Sequence, residues 1–258
     1  EELLKLERLL YDGISIPRYA NILVINASHG LLLWPLMKMN PEGYSAASVR
    51  TKQEAEVIAH FSSELELILR PEIIECPDKD IFSHIEDGMR FSVISGKNIL
   101  SRLDQDKDIL PMIREHLEGD GIVTLMESVP SLSSRLSDFA PEQFREQLLD
   151  AEKNIYTDSD PLTSWGRKEL EDAVLGVFPE AEIVFRKSVM QRHFTPDAAR
   201  SFFRKSYHDC GMGEEDFISL FADKDFRWET VTVLIRVGIG KELPSHDSDW
   251  ENVLRITR

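Results

Sequence analysis

The chain has 258 residues, enough for one large α/β domain or two small ones, and its 42% hydrophobic and 29% charged residues are those of a globular protein with a sizeable buried core. A net charge of −16 gives an acidic surface that repels phosphate backbones and argues against nonspecific nucleic-acid binding. The only cysteines, Cys76 and Cys210, are too few for a disulfide framework or a zinc knuckle and fit a reducing cytoplasm, and no apolar run approaches the ~20 residues of a membrane span.

The chain opens on Glu1 rather than Met and carries no secretory leader pattern, so it is expected to be an excised or processed piece of a larger protein. Leucines 3, 4, 6, 9 and 10 recur at helical spacing and predict a helix over 2–11, with residues 1–20 forming a lead-in. Ile22 to Ile25 is apolar on both faces, as a central parallel strand requires. A helix over about 31–39, a strand over 44–49 and a helix over 51–69 follow, the last opening on a Thr51/Glu54 capping box. Strands are expected at 72–76, 91–95 and 121–129, with a helix over 107–117 closed by Gly119-Asp120-Gly121. Helices over 141–154 and 164–177 lead to a strand at 182–193, and helices over 196–206 and 213–222 precede a last strand at 227–239. Five strand–helix alternations predict an α/β fold with a doubly wound, mostly parallel sheet of seven strands and helices on both faces. Residues 21–258 read as one domain with a helical insertion over about 194–226.

Several segments carry a resemblance. ILVINASHG sits where class I S-adenosylmethionine-dependent methyltransferases have their first strand and glycine loop, FSVISGKNIL resembles their fourth strand, and LEGDGIVTLMESVP their turn and fifth strand. The likeness implies a Rossmann-like methyltransferase fold with an antiparallel last strand and S-adenosylmethionine as cofactor. LERLLYDG, VINASHGLLLW, GKNILSRL, ESVPSLSSRLSDF, NIYTDSDPLTSW and FRWETVTVLIR resemble the methyltransferase-like region at the C-terminus of some bacterial RarA/MgsA-type AAA+ recombination-factor ATPases. That resemblance implies an AAA+ ATPase module in the same polypeptide and, through it, DNA. The chain has no GxxxxGK[ST] phosphate loop and is not itself the ATPase.

Under the methyltransferase resemblance the cofactor-contacting positions are Asn26, Ala27, Ser28, His29, Gly30, Arg50, Asp78, Gly96 and Asn98. Ala27, Ser28 and Gly30 are small enough for close backbone approach, whereas His29 either meets a ligand or covers the strand end. Asn26 stands where the family often has an acid, and an amide cannot neutralise an ammonium group. The second strand ends in Val49-Arg50-Thr51, without the carboxylate that would accept from ribose hydroxyls; the nearest acid is Glu54. Arg50 suits a phosphate ligand or a solvated helix start. Asp78 and Asp80 are either adenine-side acids or turn residues. Gly96, Lys97 and Asn98 follow the fourth strand, where the substrate-facing motif lies, and Glu127 either faces the same crevice or pairs with Arg135. No Cys/His cluster suggests a metal, no general base stands out, and His84, His116 and His193 read as surface or packed histidines.

Residues 186–205 set Arg186, Lys187, Arg192, Arg200, Arg204 and Lys205 against the single acid Asp197, interleaved with phenylalanines. The stretch reads as a DNA contact or, preferably, as a strand–helix connection with its aromatics in the core. The leading expectation is a methyltransferase-like domain with a degenerate cofactor site, serving an AAA+ recombination or repair ATPase. The alternatives are an active S-adenosylmethionine-dependent methyltransferase and a phosphate-ligand sensor using Arg50.

Overall fold

The computed structural model describes residues 2–156 and 160–240. Glu1, residues 157–159 of the NIYTDSDPLTSW run and the predicted end of the domain, 241–258, lie outside the described residues. In chain order the main elements are helix α1 (Glu2–Leu10), strand β1 (Asn21–Ile25), α2 (Leu33–Met39), β2 (Tyr44–Val49), α3 (Lys52–Ser62), β3 (Glu72–Glu75), β4 (Phe91–Lys97), α4 (Leu103–Asp106), α5 (Ile109–His116) and β5 (Leu117–Ser128). There follow α6 (Glu142–Ile155), α7 (Arg167–Val177), β6 (Glu182–Phe194), α8 (Pro196–Phe202), α9 (Glu214–Phe221) and β7 (Lys224–Val237).

The seven strands form one sheet in the order β3-β2-β1-β4-β5-β7-β6. Strands β1 to β5 run parallel, and β7 is antiparallel to both neighbours, β5 and β6. The expected doubly wound sheet is therefore present. Strand order reverses between β1 and β4, and such a switch opens a crevice at the carboxyl ends of those strands.

Two apolar layers cover the sheet, because the central strands are buried on both faces. Leu6 and Leu10 of α1, with Tyr11, join Leu33 and Leu36 of α2 and Ile58 of α3 on one face. Ile109 and Ile113 of α5 and Leu170 and Val174 of α7 cover the other. Ribbon β6–β7 runs beyond β5: Glu182 pairs with Arg236 and the ladder continues to Phe194 and Lys224, whereas β5 meets only Thr232 to Val237. On this overhang α6, α8, a π turn (Phe203–Tyr207) and α9 gather a third cluster around Phe194, Phe217, Phe221, Phe226 and Trp228. Buried Glu152 accepts hydrogen bonds there from Ser137 N (3.0 Å) and the Tyr207 hydroxyl (2.9 Å), as a carboxylate in such surroundings must.

Several predicted boundaries move, two of them for reasons visible in the hydrogen bonding and strand register. The capping box forms, with Thr51 and Glu54 each accepting from the other's backbone N–H, but the helix ends at Ser62 instead of residue 69. Arg70 donates to the carbonyls of Ser63 (2.7 Å) and Leu65 (3.0 Å), groups that a continuing helix would use internally. Only a 3₁₀ turn, Leu67–Leu69, follows. Gly119-Asp120-Gly121 does not separate helix from strand: β5 starts at Leu117, which pairs with Phe91, and a register shift absorbs the next residues before Ile122 pairs with Val93.

Candidate functional site

The residues expected at the site come together at the carboxyl ends of β1 to β4. After β1 the chain turns through Asn26 (φ 54°), Ser28 (φ 51°) and Gly30 (φ 82°), and after β4 through Asn98 (φ 53°). Three of the four described non-glycine residues with positive φ thus lie in two adjoining loops, the kind of local strain that accompanies binding sites.

Asn26 is buried and ties three strands together: its N–H donates to Ser48 Oγ (3.0 Å) and its side-chain amide to the Lys97 carbonyl (2.6 Å), while Ala27 N–H reaches the Ser48 carbonyl (2.8 Å). Ser28 donates to Glu54 (3.1 Å). His29 is exposed. At Gly30 a Cβ would meet Trp34 Nε1 at 2.0 Å, so the missing side chain makes room for the α2 indole. At Gly96 it would meet Ile99 and Leu125 side chains at 3.0–3.2 Å, so this glycine faces the apolar core. Burial holds the Lys97 ammonium below its usual pKa.

Arg50 crosses the crevice. Its Nε lies 3.2 and 3.1 Å from the two Asp78 oxygens, its Nη2 also bonds Asp78, and Nη2 donates to the Asn98 carbonyl at 2.7 Å. One side chain after β2 thereby joins the loops after β3 and β4. Burial pushes the Asp78 carboxyl above its ordinary pKa, against the lowering influence of Arg50. Glu54 is engaged as well: besides Ser28 it accepts from the N–H groups of Arg50 (3.0 Å) and Thr51 (3.1 Å).

Behind this latch sits Glu127, with no exposed surface. It does not pair with Arg135. Its oxygens accept the backbone N–H groups of Ile99 (2.8 Å) and Leu100 (3.1 Å), shaping the loop after β4 from beneath. Burial outweighs those bonds and raises its pKa to about 8. Asn98 Oδ1 accepts from Ser128 N–H (2.9 Å), so that amide is turned toward the end of β5.

A cavity of about 740 Å³ opens beside the latch, walled by Arg50, Asp78, Ser101, Arg102, Asp106 and Leu162 among others. Trp165 donates from Nε1 to the Ser101 carbonyl (3.1 Å) and anchors the post-β4 segment that forms one wall. Ser101 and Arg102 belong to the GKNILSRL run but are not among the residues expected at the site; the Arg102 N–H closes a turn onto Asp106 (2.8 Å), an Arg-x-x-x-Asp spacing that marks this wall in the sequence. Among the described residues no group of three or more His, Cys, Asp or Glu is placed to hold a metal. No described helix is long and apolar enough to cross a membrane.

No protein-family model and no curated protein matches the chain in sequence. Among solved structures it is similar to YcgJ from Bacillus subtilis, with a TM-score of 0.52 at 12% identity over 92% of this chain and 98% of that one. A candidate methyltransferase from Bacillus halodurans C-125 gives 0.51 at 9% identity, covering 90% and 96% of the two chains. A cyclopropane-fatty-acyl-phospholipid synthase-like protein from Lactobacillus casei gives 0.51 at 10% identity, covering 90% of each. The chain has a Rossmann-like methyltransferase fold. At these identities the likeness is one of fold alone.

The basic stretch of this methyltransferase fold is largely occupied from within. Lys187 pairs with Glu229, Arg200 with Asp197 (3.1 Å) and Glu214 (3.2 Å), and Arg204 with Glu214 (2.8 Å). Arg186 is buried, and the Arg192 guanidinium lies 4.7 Å from the ring centres of Phe194 and Trp228. Phe185, Phe194 and Phe203 are buried, which favours the core reading of their interleaving.

Proposed function

We propose that the chain is a methyltransferase-like domain whose adenosyl crevice is closed by Arg50, and that it acts as an accessory module of an AAA+ recombination or repair ATPase. The single observation behind the closed crevice is the three-way bridge from Arg50 to Asp78 and to the Asn98 carbonyl. By the methyltransferase resemblance, the ribose hydroxyls of S-adenosylmethionine would donate to a carboxylate after β2, where this chain has Arg50, which can only donate. Asp78 is drawn into the bridge, and Glu54 is held by Ser28 and two backbone N–H groups. On this reading the residues present do not fit the cofactor, and no catalytic step is assigned to them.

The ATPase context is supported by the likeness of LERLLYDG, GKNILSRL and ESVPSLSSRLSDF to the appended regions of RarA/MgsA-type proteins. With the charges of 186–204 engaged inside the chain, we place DNA contact on the ATPase side of that assembly. A phosphate-loop ATPase encoded upstream in the same reading frame supports the context, and a reading frame without one removes it.

The second reading, an active S-adenosylmethionine-dependent methyltransferase, is favoured by the 740 Å³ cavity that remains next to Asp78. Calorimetric titration of the full chain with S-adenosylmethionine and S-adenosylhomocysteine separates the two. The closed crevice predicts no binding heat at millimolar ligand, and micromolar binding establishes the enzyme reading instead.

A further inference from the structure

At the amino ends of β2 and β3, away from the crevice, an apolar groove of about 540 Å³ runs between the end of α2 and the end of α3. Trp34, Met37, Phe61, Leu65 and Leu69 wall it, and Lys38 is among its lining residues. Phe61 stands edge-on to Trp34 with ring centres 6.5 Å apart. At the rim the 3₁₀ turn lifts Leu67 and Ile68 into solvent, 81% and 85% exposed, and Phe61 itself is 63% exposed. A contiguous apolar patch of this kind marks a surface that something covers.

The shape of the patch indicates what. Leu65 and Leu69 line the groove on either side of the turn in sequence, and Arg70 fixes the turn there by donating to the Ser63 and Leu65 carbonyls. Leu67 and Ile68 therefore project beside the groove instead of filling it. A hydrophobic knob held next to a hydrophobic hollow is self-complementary: about a two-fold axis the knob of each copy meets the hollow of the other.

The charges agree with a second copy. The chain carries −16 in all, so two copies repel over most of their surface. Around the groove the signs are mixed, with exposed Lys38 and Arg70 against exposed Glu64 and Glu66. The charge of Lys38 also reaches the buried Glu7 of α1. Of the other neighbours, Arg18 pairs with Glu42 (2.7 Å) and Lys52 with Glu56 (4.0 Å), Glu72 accepts from the Tyr44 hydroxyl, and His60 stands edge-on to Phe61. A strongly basic or acidic partner finds no matching field here, whereas a copy of the same patch brings lysine to glutamate.

We infer that this face joins two copies of the chain about a two-fold axis. Leu67 and Ile68 of each copy enter the Trp34–Phe61–Leu65 groove of the other, and Lys38 of each faces Glu64 and Glu66 of the other. The patch is at the small end of stable interfaces, which take ~20–30 residues from each side, so a micromolar dissociation constant is expected. The inference is independent of the closed crevice, which lies at the carboxyl ends of the strands.

The test is sedimentation equilibrium of the full chain from about 1 to about 300 µM at physiological salt, where monomer–dimer exchange is expected. The double variant Leu67→Asp, Ile68→Asp alters only exposed side chains, so it should keep the wild-type circular dichroism while raising the dissociation constant at least ~tenfold. Lys38→Glu should raise it ~threefold or more, and adding Glu64→Lys and Glu66→Lys should restore it, a rescue that unspecific apolar adhesion does not give. A photoreactive benzoylphenylalanine at Ile68, in a mixture of unlabelled and isotope-labelled chains, should form mixed crosslinks to residues 34–41 or 61–65. A wild type that stays monomeric at the highest concentration, a dimer indifferent to the Leu67 and Ile68 changes, charge variants without rescue, or crosslinks confined to one chain each overturn the inference.

Discussion

Replacing Arg50 by Met keeps much of its apolar stem and removes the charge that holds the crevice loops together. An exposed ion pair contributes only ~0–1 kcal/mol. This one is asymmetric, with the Arg50 side chain 43% exposed and that of Asp78 12% exposed, so its Coulomb part is discounted for solvent. What remains is the cost of leaving the mostly buried Asp78 without a partner, next to the charges of Asp106 and Glu54, and of losing the bond to the Asn98 carbonyl. Together these amount to about 1–3 kcal/mol, or roughly 4–8 °C in melting temperature for a central value near 2. The loss depends on pH with a definite sign. Burial already raises the Asp78 pKa, and removing Arg50 raises it further. The difference between variant and wild type is therefore full above the variant's Asp78 pKa and fades as pH falls below the wild-type value, where both carboxyls are protonated. Urea denaturation from pH 8 downward, run as a double-mutant cycle with Asp78→Asn, measures this. A coupling energy of ~1 kcal/mol or more at pH 8 that shrinks as the carboxyl becomes protonated is expected. Additive single variants, or a loss that does not change with pH, refute the reasoning.

Glu127, with a pKa raised to about 8, makes wild-type stability fall as pH rises from the unfolded carboxyl value toward 8 and level off above it. The slope is at most ~1.4 kcal/mol per pH unit, and Glu127→Gln should flatten it in urea titrations; an unchanged slope assigns the dependence elsewhere. Gly30→Ala forces a side chain to within 2.0 Å of the Trp34 indole at a φ of 82°, and should destabilise the chain by about 1–3 kcal/mol. A melting temperature within a degree of wild type contradicts that packing.

The sheet was legible because its signals are local. Ile22 to Ile25 is apolar on both faces, as a buried parallel strand requires, and Tyr44–Val49 forms the predicted strand although the buried Ser45 and Ser48 interrupt its apolar run. The helix expected to residue 69 shows where local pattern fails. Leu65, Leu67 and Leu69 extend the apolar run, but Arg70 captures the carbonyls and the leucines end exposed. Periodicity reports which residues can share a face and not what that face meets.

The candidate site divides along the same line. Fold position alone brought Asn26, Arg50, Asp78 and Asn98 to one edge, and the absence of an acid after β2 is visible in Val49-Arg50-Thr51. The bond from Arg50 to Asp78 spans 28 residues of sequence, and that from Glu127 to Ile99 likewise. Neither has a spacing rule, because a parallel sheet sets such distances through its crossovers. Gly96 resembles a loop glycine in sequence, yet the space of its absent side chain is filled by Ile99 and Leu125.

The most direct test of the closed crevice is calorimetry with S-adenosylmethionine on the wild-type chain beside Arg50→Asp, which removes the bridge and restores a carboxylate after β2. The account predicts no binding by the wild type and measurable heat for the variant. Micromolar binding by the wild type, weakened when Arg50 is replaced, contradicts it.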